Sequence, residues 1–256
     1  MNQFNNTSLL ITHYNRSASL ERLLKNFQAL DIQFGEIVVS DDGSKTEHLN
    51  HLENLQALHN FTLVKTVQNK GLGNNINKGQ DAVTLPYTLY VQEDFSPKNG
   101  LKEALTNAHQ FMQEDDHLDI VRLYAYGAYP HLTPFAKGFS LMHFNLRLKG
   151  YGKFYYYSDH PHLRRSSFLE KFGRYAENEN PEQTEYRMMM SFLQKKGKGL
   201  FYNNYKELFD HGNTEDEPST MERGWRRSKN PAIATARFFY RHIKFNTDYL
   251  FRNYHY

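Results

Sequence analysis

Two carboxylates stand side by side in "VVSDDGS" (38–44), where Asp41 and Asp42 follow a short β-branched run and precede a Gly43-Ser44 turn pair. A second acidic pair, Glu93 and Asp94, follows the apolar run "YTLYVQ" (87–92). A third polar cluster, Thr12, His13, Tyr14 and Asn15, closes the run that begins "SLLI" at Ser8. Such groups offer negative charge and hydrogen-bond acceptors to a ligand. The plainer reading of the Asp pair is a turn, since Asp, Gly and Ser are turn residues and acids cap the helix that follows.

The elements that must carry these clusters separate the two readings. "SLLITHY" (8–14), "EIVVS" (36–40), "FTLVKTV" (61–67) and "YTLYVQ" (87–92) are short apolar runs of strand type. Between the first two, Leu20, Leu23, Leu24, Phe27 and Leu30 recur at helical spacing, and 45–58 and 72–83 are further helical segments. Strands alternating with helices predict an α/β fold with a mostly parallel sheet covered on both faces. In open α/β sheets ligands sit beyond the carboxyl ends of the strands. Three polar clusters at three such ends then converge on one crevice, which favours the ligand-site reading over the turn.

Composition narrows the class. The 256 residues suffice for one large domain, or a domain with an appendage. There is no cysteine, which excludes disulfides and thiolate metal sites and fits a reducing compartment. No apolar stretch approaches the roughly 18 residues of a membrane span. "MNQFNNTS" lacks the charged and apolar regions of a signal peptide. The expected location is therefore cytoplasmic. The net charge of +3 hides an uneven distribution: 222–256 holds eight Lys/Arg and two acids, whereas the rest holds 23 basic and 26 acidic residues.

The ordered set of motifs resembles family 2 glycosyltransferases, inverting enzymes of the GT-A fold that use nucleotide-diphospho-sugars. "LLITHYNRSASLERLLKNFQAL" is similar to the family's opening strand and helix, and "EIVVSDDGSK" to its most recognisable segment. "NKGLGNNINKG" (69–79) resembles its Asn-x-Gly loop, and "YVQEDFSP" (90–97) its acidic metal motif. These cover roughly the first 100 residues in the family's order; beyond residue 130 the likeness thins.

The resemblance implies roles. The departing diphosphate gains negative charge, which a bound Mn²⁺ or Mg²⁺ stabilises as a Lewis acid. Asp94 is the expected metal ligand, with Glu93 toward ribose, metal or donor sugar. The family's first acid of this motif is Gln92 here, which implies weaker metal dependence. Asp41 is expected to accept from the base or ribose, Asp42 either to share that role or to cap the turn, and Thr12, Tyr14 and Asn15 to shape the base pocket. Asn69, Gly71 and Asn77 belong to the nucleotide loop, where Gly71 and Gly73 allow close backbone approach. Ile76 replaces a cation often found before Asn77, with Lys70 as a substitute.

An inverting transfer needs a base for the acceptor hydroxyl. "ENENPEQTEYRMMMSFLQKKGKG" (177–199) fits the family's helix for it, with Pro181 at the start and Gly197 at the close. Glu185 is the expected base and Glu182 the alternative, although acids at helix starts also arise for dipole reasons alone. His211 is the expected late metal ligand, with Asp210 as its alternative. Arg164 and Arg165 are open between anion contacts and solvated positions.

The expected organisation is a catalytic domain over 1–214, with its nucleotide half at about 1–98 and its acceptor half at about 99–214. A basic aromatic helical extension follows over 215–256. That tail, with Trp225 beside Arg226 and Arg227, reads as a helix pair packed on the body, or as an element on the inner membrane surface; binding to nucleic acid is not expected. The expected partners are a nucleotide-sugar, a UDP-sugar before a GDP- or dTDP-sugar, and a glycan or lipid-linked acceptor of bacterial surface polysaccharide or lipopolysaccharide synthesis. The rivals are a sugar nucleotidyltransferase, which would carry a Gly-rich loop near the amino terminus that "THYNRSASLERLL" lacks, and a non-catalytic binding protein on the same scaffold.

Overall fold

The computed structural model describes residues 3–212 and 231–254; Trp225, Arg226 and Arg227 lie outside the described residues. The amino-terminal half alternates β1 (Phe4–His13), α1 (Ser17–Ala29), β2 (Phe34–Asp41), α2 (Thr46–His59), β3 (Thr62–Lys65), α3 (Leu72–Asp81) and β4 (Tyr87–Gln92). These strands lie side by side in the order β3-β2-β1-β4, all parallel. Register is what gathers the polar clusters: Thr12 pairs with Ser40 on one side and Gln92 on the other, and His13 pairs with Asp41. The three strands therefore end at one level, and whatever follows them shares one edge.

The rest of the chain runs β5 (Phe95–Pro97), α4 (Leu101–Glu114), β6 (Ile120–Arg122), β7 (Leu132–Ala136), β8 (Phe139–Met142), β9 (His162–Arg165), α5 (Phe168–Phe172), α6 (Pro181–Gln194), β10 (Gly199–Tyr202), β11 (Phe209–His211) and α7 (Pro231–Phe251). The sheet continues from β4 as β9-β6-β10-β8-β7. Strand β9 is antiparallel to both β4 and β6, so the nine-stranded sheet is parallel in its first half and mixed beyond. A separate antiparallel pair, β5 with β11, sets His211 opposite Phe95.

Both faces of the parallel half are covered, which is why its strands are apolar almost throughout. Leu9 and Ile11 point to the face where α1 buries Leu20, Leu23, Leu24 and Phe27; Leu10 points to the other, with Val38, Ile76 and Tyr90. Each such side chain contributes about 1.5–3 kcal/mol on burial. The second face is rich in aromatic rings: Tyr157, Phe168, Phe172 and Phe192 pack as a cluster, with Met188, Met189 and Met190 of α6 buried beside it.

Two glycines fix how the site loops lie. Gly43 has φ +71, and a Cβ there would fall 2.4 Å from the Gln68 carbonyl carbon, so the Asp-Asp turn lies directly on the 68–69 backbone. At Gly73 a Cβ would meet the Ala176 carbonyl oxygen at 2.1 Å, so the first turn of α3 touches the segment leading into α6. The start of α6 follows the sequence: Pro181 is its first residue and the Asn180 side chain accepts from the Gln183 N–H at 3.0 Å.

Helix α7 packs on α6. Phe245 and Tyr254 are buried there, and the Tyr186 hydroxyl donates to Asp248 Oδ2 at 2.7 Å. Among the described residues the extension contributes one helix, α7, laid on the body.

Candidate active site

Asp41 leaves β2 wholly buried, and its carboxylate is fully engaged. Oδ1 contacts His13 Nδ1 at 2.8 Å and accepts from Ser44 Oγ at 2.5 Å; Oδ2 accepts from the Gly43 and Ser44 N–H groups at 3.1 and 3.0 Å. Burial works to raise this carboxyl, but the His13 and Ser44 hydrogen bonds outweigh it and hold it below the usual carboxylate range. The turn reading and the site reading thus meet in one residue, because Asp41 shapes the loop that borders the crevice.

Asp42 reaches the other way. Its two oxygens accept from the N–H groups of Lys70 and Gly71 at 2.8 and 2.9 Å, clamping the 69–71 loop. Burial is the largest influence on it and keeps its carboxyl above the ordinary value, against those N–H bonds and nearby Lys78. The Lys78 ammonium donates to the Asp41 carbonyl, which places a cation beneath this loop. Asn15, at φ 52, accepts from the Lys45 N–H at 2.8 Å, while its own N–H donates to Ser44 Oγ at 2.8 Å. The Thr12 and Tyr90 hydroxyls share a hydrogen bond of 3.1 Å, and Tyr14, which follows closely after Thr12, is half-buried. Asn69 is exposed and Gly71, at φ +86, precedes α3. Asn77 is spent on structure: Nδ2 donates to the Tyr175 carbonyl at 3.0 Å and to Glu177 at 2.9 Å, and Oδ1 accepts from the Tyr175 N–H at 3.0 Å.

The acidic motif holds the densest charge. Arg16 donates to Asp94 Oδ2 at 2.9 Å and lies 3.7 Å from Glu93, with all three side chains nearly buried. His211, brought in by the β5–β11 pair, has Nε2 3.4 Å from the same Asp94 oxygen. Burial opposes ionisation of Asp94, yet His211 and Arg16 together hold its carboxyl below the ordinary value. Asp94 Oδ1 is buried with no hydrogen-bond partner. An unpaired buried carboxylate oxygen beside an imidazole fits a hard divalent cation. Among the described residues no three His, Asp or Glu side chains form a metal cage by themselves. Mg²⁺ is commonly held by one or two carboxylates plus phosphate and water, and Asp94 with His211 fits that kind of site.

Above this cluster lies an aromatic rim. The exposed Tyr126 stands with its ring centroid 4.5 Å from His160 and its hydroxyl 3.3 Å from His211 Nε2. Burial, with Arg122 adding to it, drives the His160 imidazole down to about 3, so it is neutral here at physiological pH.

Glu185 is half-buried on α6, and its Oε1 accepts from the Asp159 N–H at 3.1 Å. Burial raises its carboxyl above the usual glutamate value, against the Asp159 N–H and the cation of Arg122. The Asp159 carbonyl in turn accepts from Gln92 Nε2 at 3.3 Å, two residues before Asp94. Two hydrogen bonds therefore link the candidate base to the acidic strand end. Glu182 lies at the exposed first turn of α6, apart from this linkage.

Residues 8–173 match the sequence model of glycosyl transferase family 2, more than half of the chain. The chain belongs to glycosyl transferase family 2. Poly-beta-1,6-N-acetyl-D-glucosamine synthase of Staphylococcus aureus is 26% identical over 87 residues, 34% of this chain and 21% of that protein. The family 2 chain thus matches about a fifth of that relative's length. Among solved structures, S. aureus TarS 1–349 superposes with a TM-score of 0.60 at 18% identity, over 80% of this chain and 59% of that one. TarS 1–349 in complex with UDP-GlcNAc gives 0.64 at 17%, over 97% and 76%. The mannosyltransferase PcManGT of Pyrobaculum calidifontis, with GDP-Man and Mn²⁺, gives 0.55 at 13%, over 94% and 64%. At these identities the likeness shows the fold, which is GT-A.

Several residues of this family 2 chain sit differently from their expected places. Arg164 is fully buried in β9, with NH1 donating to the Tyr175 hydroxyl and NH2 to Gln80, each at 2.7 Å. Arg165 donates to the carbonyls of Leu118, Met112 and Asp115. Neither is a solvated helix-start arginine, because 162–165 is a strand inserted between β4 and β6. Asp210, the alternative to His211, is mostly exposed and pairs with Lys98 at 3.0 Å. Lys70 contributes its backbone N–H to Asp42. The sequence reading passes over Arg16, although its place directly after Asn15 at a strand end is a usable signal. It also passes over Asp159, Arg122 and Tyr126, whose positions depend on long-range strand pairing.

Proposed function

We propose that the chain transfers a sugar from a nucleotide-diphospho-sugar, a UDP-sugar in the first place, to a hydroxyl of a glycan or lipid-linked acceptor with inversion, in the assembly of surface polysaccharide. The observation that carries this is the linkage Gln92–Asp159–Glu185, which fixes a base of raised pKa beside the strand end that bears Asp94. The family, the UDP and UDP-GlcNAc held by TarS, and the polysaccharide synthase relative support the donor class and the pathway.

In this reaction Glu185 takes the proton of the acceptor hydroxyl as that oxygen bonds to the anomeric carbon. The bond from that carbon to the diphosphate breaks, and the nucleoside diphosphate leaves from the opposite face. Arg16 stands beside Asp94 and Glu93 and orders them; Lys78 and the Asp42-clamped loop border the donor side. Asp94 and His211 would hold Mn²⁺ or Mg²⁺, which supplies Lewis-acid stabilisation of the diphosphate when bound. The test is release of UDP from UDP-GlcNAc, UDP-Glc and UDP-Gal, with GDP- and dTDP-sugars beside them, in the presence of Mn²⁺. UDP-sugar turnover is expected; turnover restricted to GDP- or dTDP-sugars would contradict the donor class, and turnover of none would contradict the activity.

The same reading places α7 on the anionic inner surface of the membrane. No helix among the described residues is long and apolar enough to span a bilayer. The outer side of α7 nonetheless exposes Phe239, Tyr240, Ile243, Leu250 and Phe251, while its one acid, Asp248, is turned inward on the same face as the half-buried Arg237 and Arg241, the latter over the Tyr151 ring. Aromatic and aliphatic side chains of this kind enter the headgroup region, and the net positive charge of 222–256 favours anionic lipid. Sedimentation with phosphatidylglycerol vesicles, weakened by salt and by Phe239→Ser with Ile243→Ser, is expected. Equal recovery with phosphatidylcholine vesicles, or none with either, would count against it.

A further inference from the structure

Asp159 lies in the segment before β9, is almost wholly buried, and contacts both Gln92 and Glu185 through its backbone. Its side chain is held from the opposite direction. Oδ1 accepts from the Tyr157 hydroxyl at 2.7 Å, and Tyr157 shares a hydrogen bond with the Tyr175 hydroxyl. Tyr175 accepts from Arg164, whose other nitrogen is fixed by Gln80. Oδ2 is buried and has no hydrogen-bond partner.

We propose that Asp159 is the partner carboxyl of Glu185, a positioning residue that aims the base through its backbone N–H and governs its charge through its own buried side chain. The inference deepens the proposed function and rests on the reading of Glu185 as the acceptor's base. An ionised carboxylate with one oxygen unpaired in a dry site is costly, and a second ionised carboxylate nearby adds to that cost. Burial first, and the charge of Glu185 second, push the Asp159 carboxyl up to about 8, against the Tyr157 hydrogen bond and the Arg164 cation. The groups facing it are Glu185 from α6, Tyr157 beside it, Tyr175 before α6, Arg164 from β9 and Tyr90 from β4; Arg122 from β6 acts on Glu185. Two raised, interacting carboxyls disfavour double ionisation, and their titrations belong to the two residues together.

Carboxyl-carbon NMR titration of the wild type, Glu185→Gln and Asp159→Asn tests this without any substrate. Asn matches the shape of the protonated acid and keeps both the N–H that Glu185 accepts and an oxygen for Tyr157. The expected result is a carboxyl titrating near 8 in the wild type, absent from Asp159→Asn, and lowered by about one unit or more in Glu185→Gln, where the neighbouring charge is gone. The pH profile of transfer is expected to show an inflection in the same range that Asp159→Asn lacks. A carboxyl titrating in the ordinary aspartate range, or one near 8 that Glu185→Gln leaves unmoved, overturns the pairing. Full transfer by Glu185→Gln overturns the base reading instead, and the titration, which needs no turnover, tells the two failures apart.

Discussion

Asp94→Asn is expected to lower sugar transfer by roughly 10²–10³-fold and to remove the metal dependence of nucleotide binding. The substitution keeps the shape of the side chain but removes the charge that Arg16, His211 and a divalent cation all address. Electrostatic stabilisation of a leaving diphosphate amounts to several kcal/mol, and about 1.4 kcal/mol corresponds to a decade in rate. Arg16 keeps Glu93 at 3.7 Å, so the variant still has a counter-charge for the buried guanidinium and is expected to fold. Steady-state kinetics with and without Mn²⁺, alongside a melting curve, check this. Wild-type rates in Asp94→Asn would show that the acidic strand end is not where the diphosphate is stabilised.

The second large effect is expected at α6. Glu185→Gln should lower kcat by about 10²–10⁴-fold while leaving KM for the donor nearly unchanged, since a general base acts on the acceptor's proton and not on donor affinity. The pH dependence has a definite sign. A base works in its ionised form, and the Glu185 carboxyl lies above the ordinary glutamate value, so the rate falls as pH drops through that raised value. The acid limb of the wild-type kcat/KM profile should therefore lie above the usual glutamate range and vanish in Glu185→Gln. The same substitution at exposed Glu182 should leave the limb in place, which separates the two acids of this helix.

Much of the scaffold is legible in the chain because it is local. The helical spacing of Leu20, Leu23, Leu24 and Phe27 follows from one face buried on the sheet, and the Pro181 start of α6 follows from its fixed φ and the Asn180 cap. The convergence of the strand-end clusters is legible too, since parallel β1, β2 and β4 with helical crossovers place their carboxyl ends at one edge. What each side chain does there is less so. Nothing local distinguishes Asp41, saturated by His13 and Ser44, from Asp42, which clamps Lys70 and Gly71. Arg164 and Asp159 lie further from reach. Their burial follows from β9 inserting antiparallel between β4 and β6, a pairing between segments about 75 and 40 residues apart that leaves no periodic trace in "DHPHLRRSSF". The Arg16 contact with Asp94 is likewise a product of register, since it joins the residues after two neighbouring strands.

The central claim is that a nucleotide diphosphate, held with a divalent cation, binds at the carboxyl edge of the parallel strands. Calorimetric titration of the protein with UDP, GDP and dTDP, each with and without Mn²⁺, addresses it most directly. Saturable, Mn²⁺-enhanced binding of UDP in preference to the other two is the predicted result. A folded protein that gives no heat with any of the three, in either condition, would contradict it.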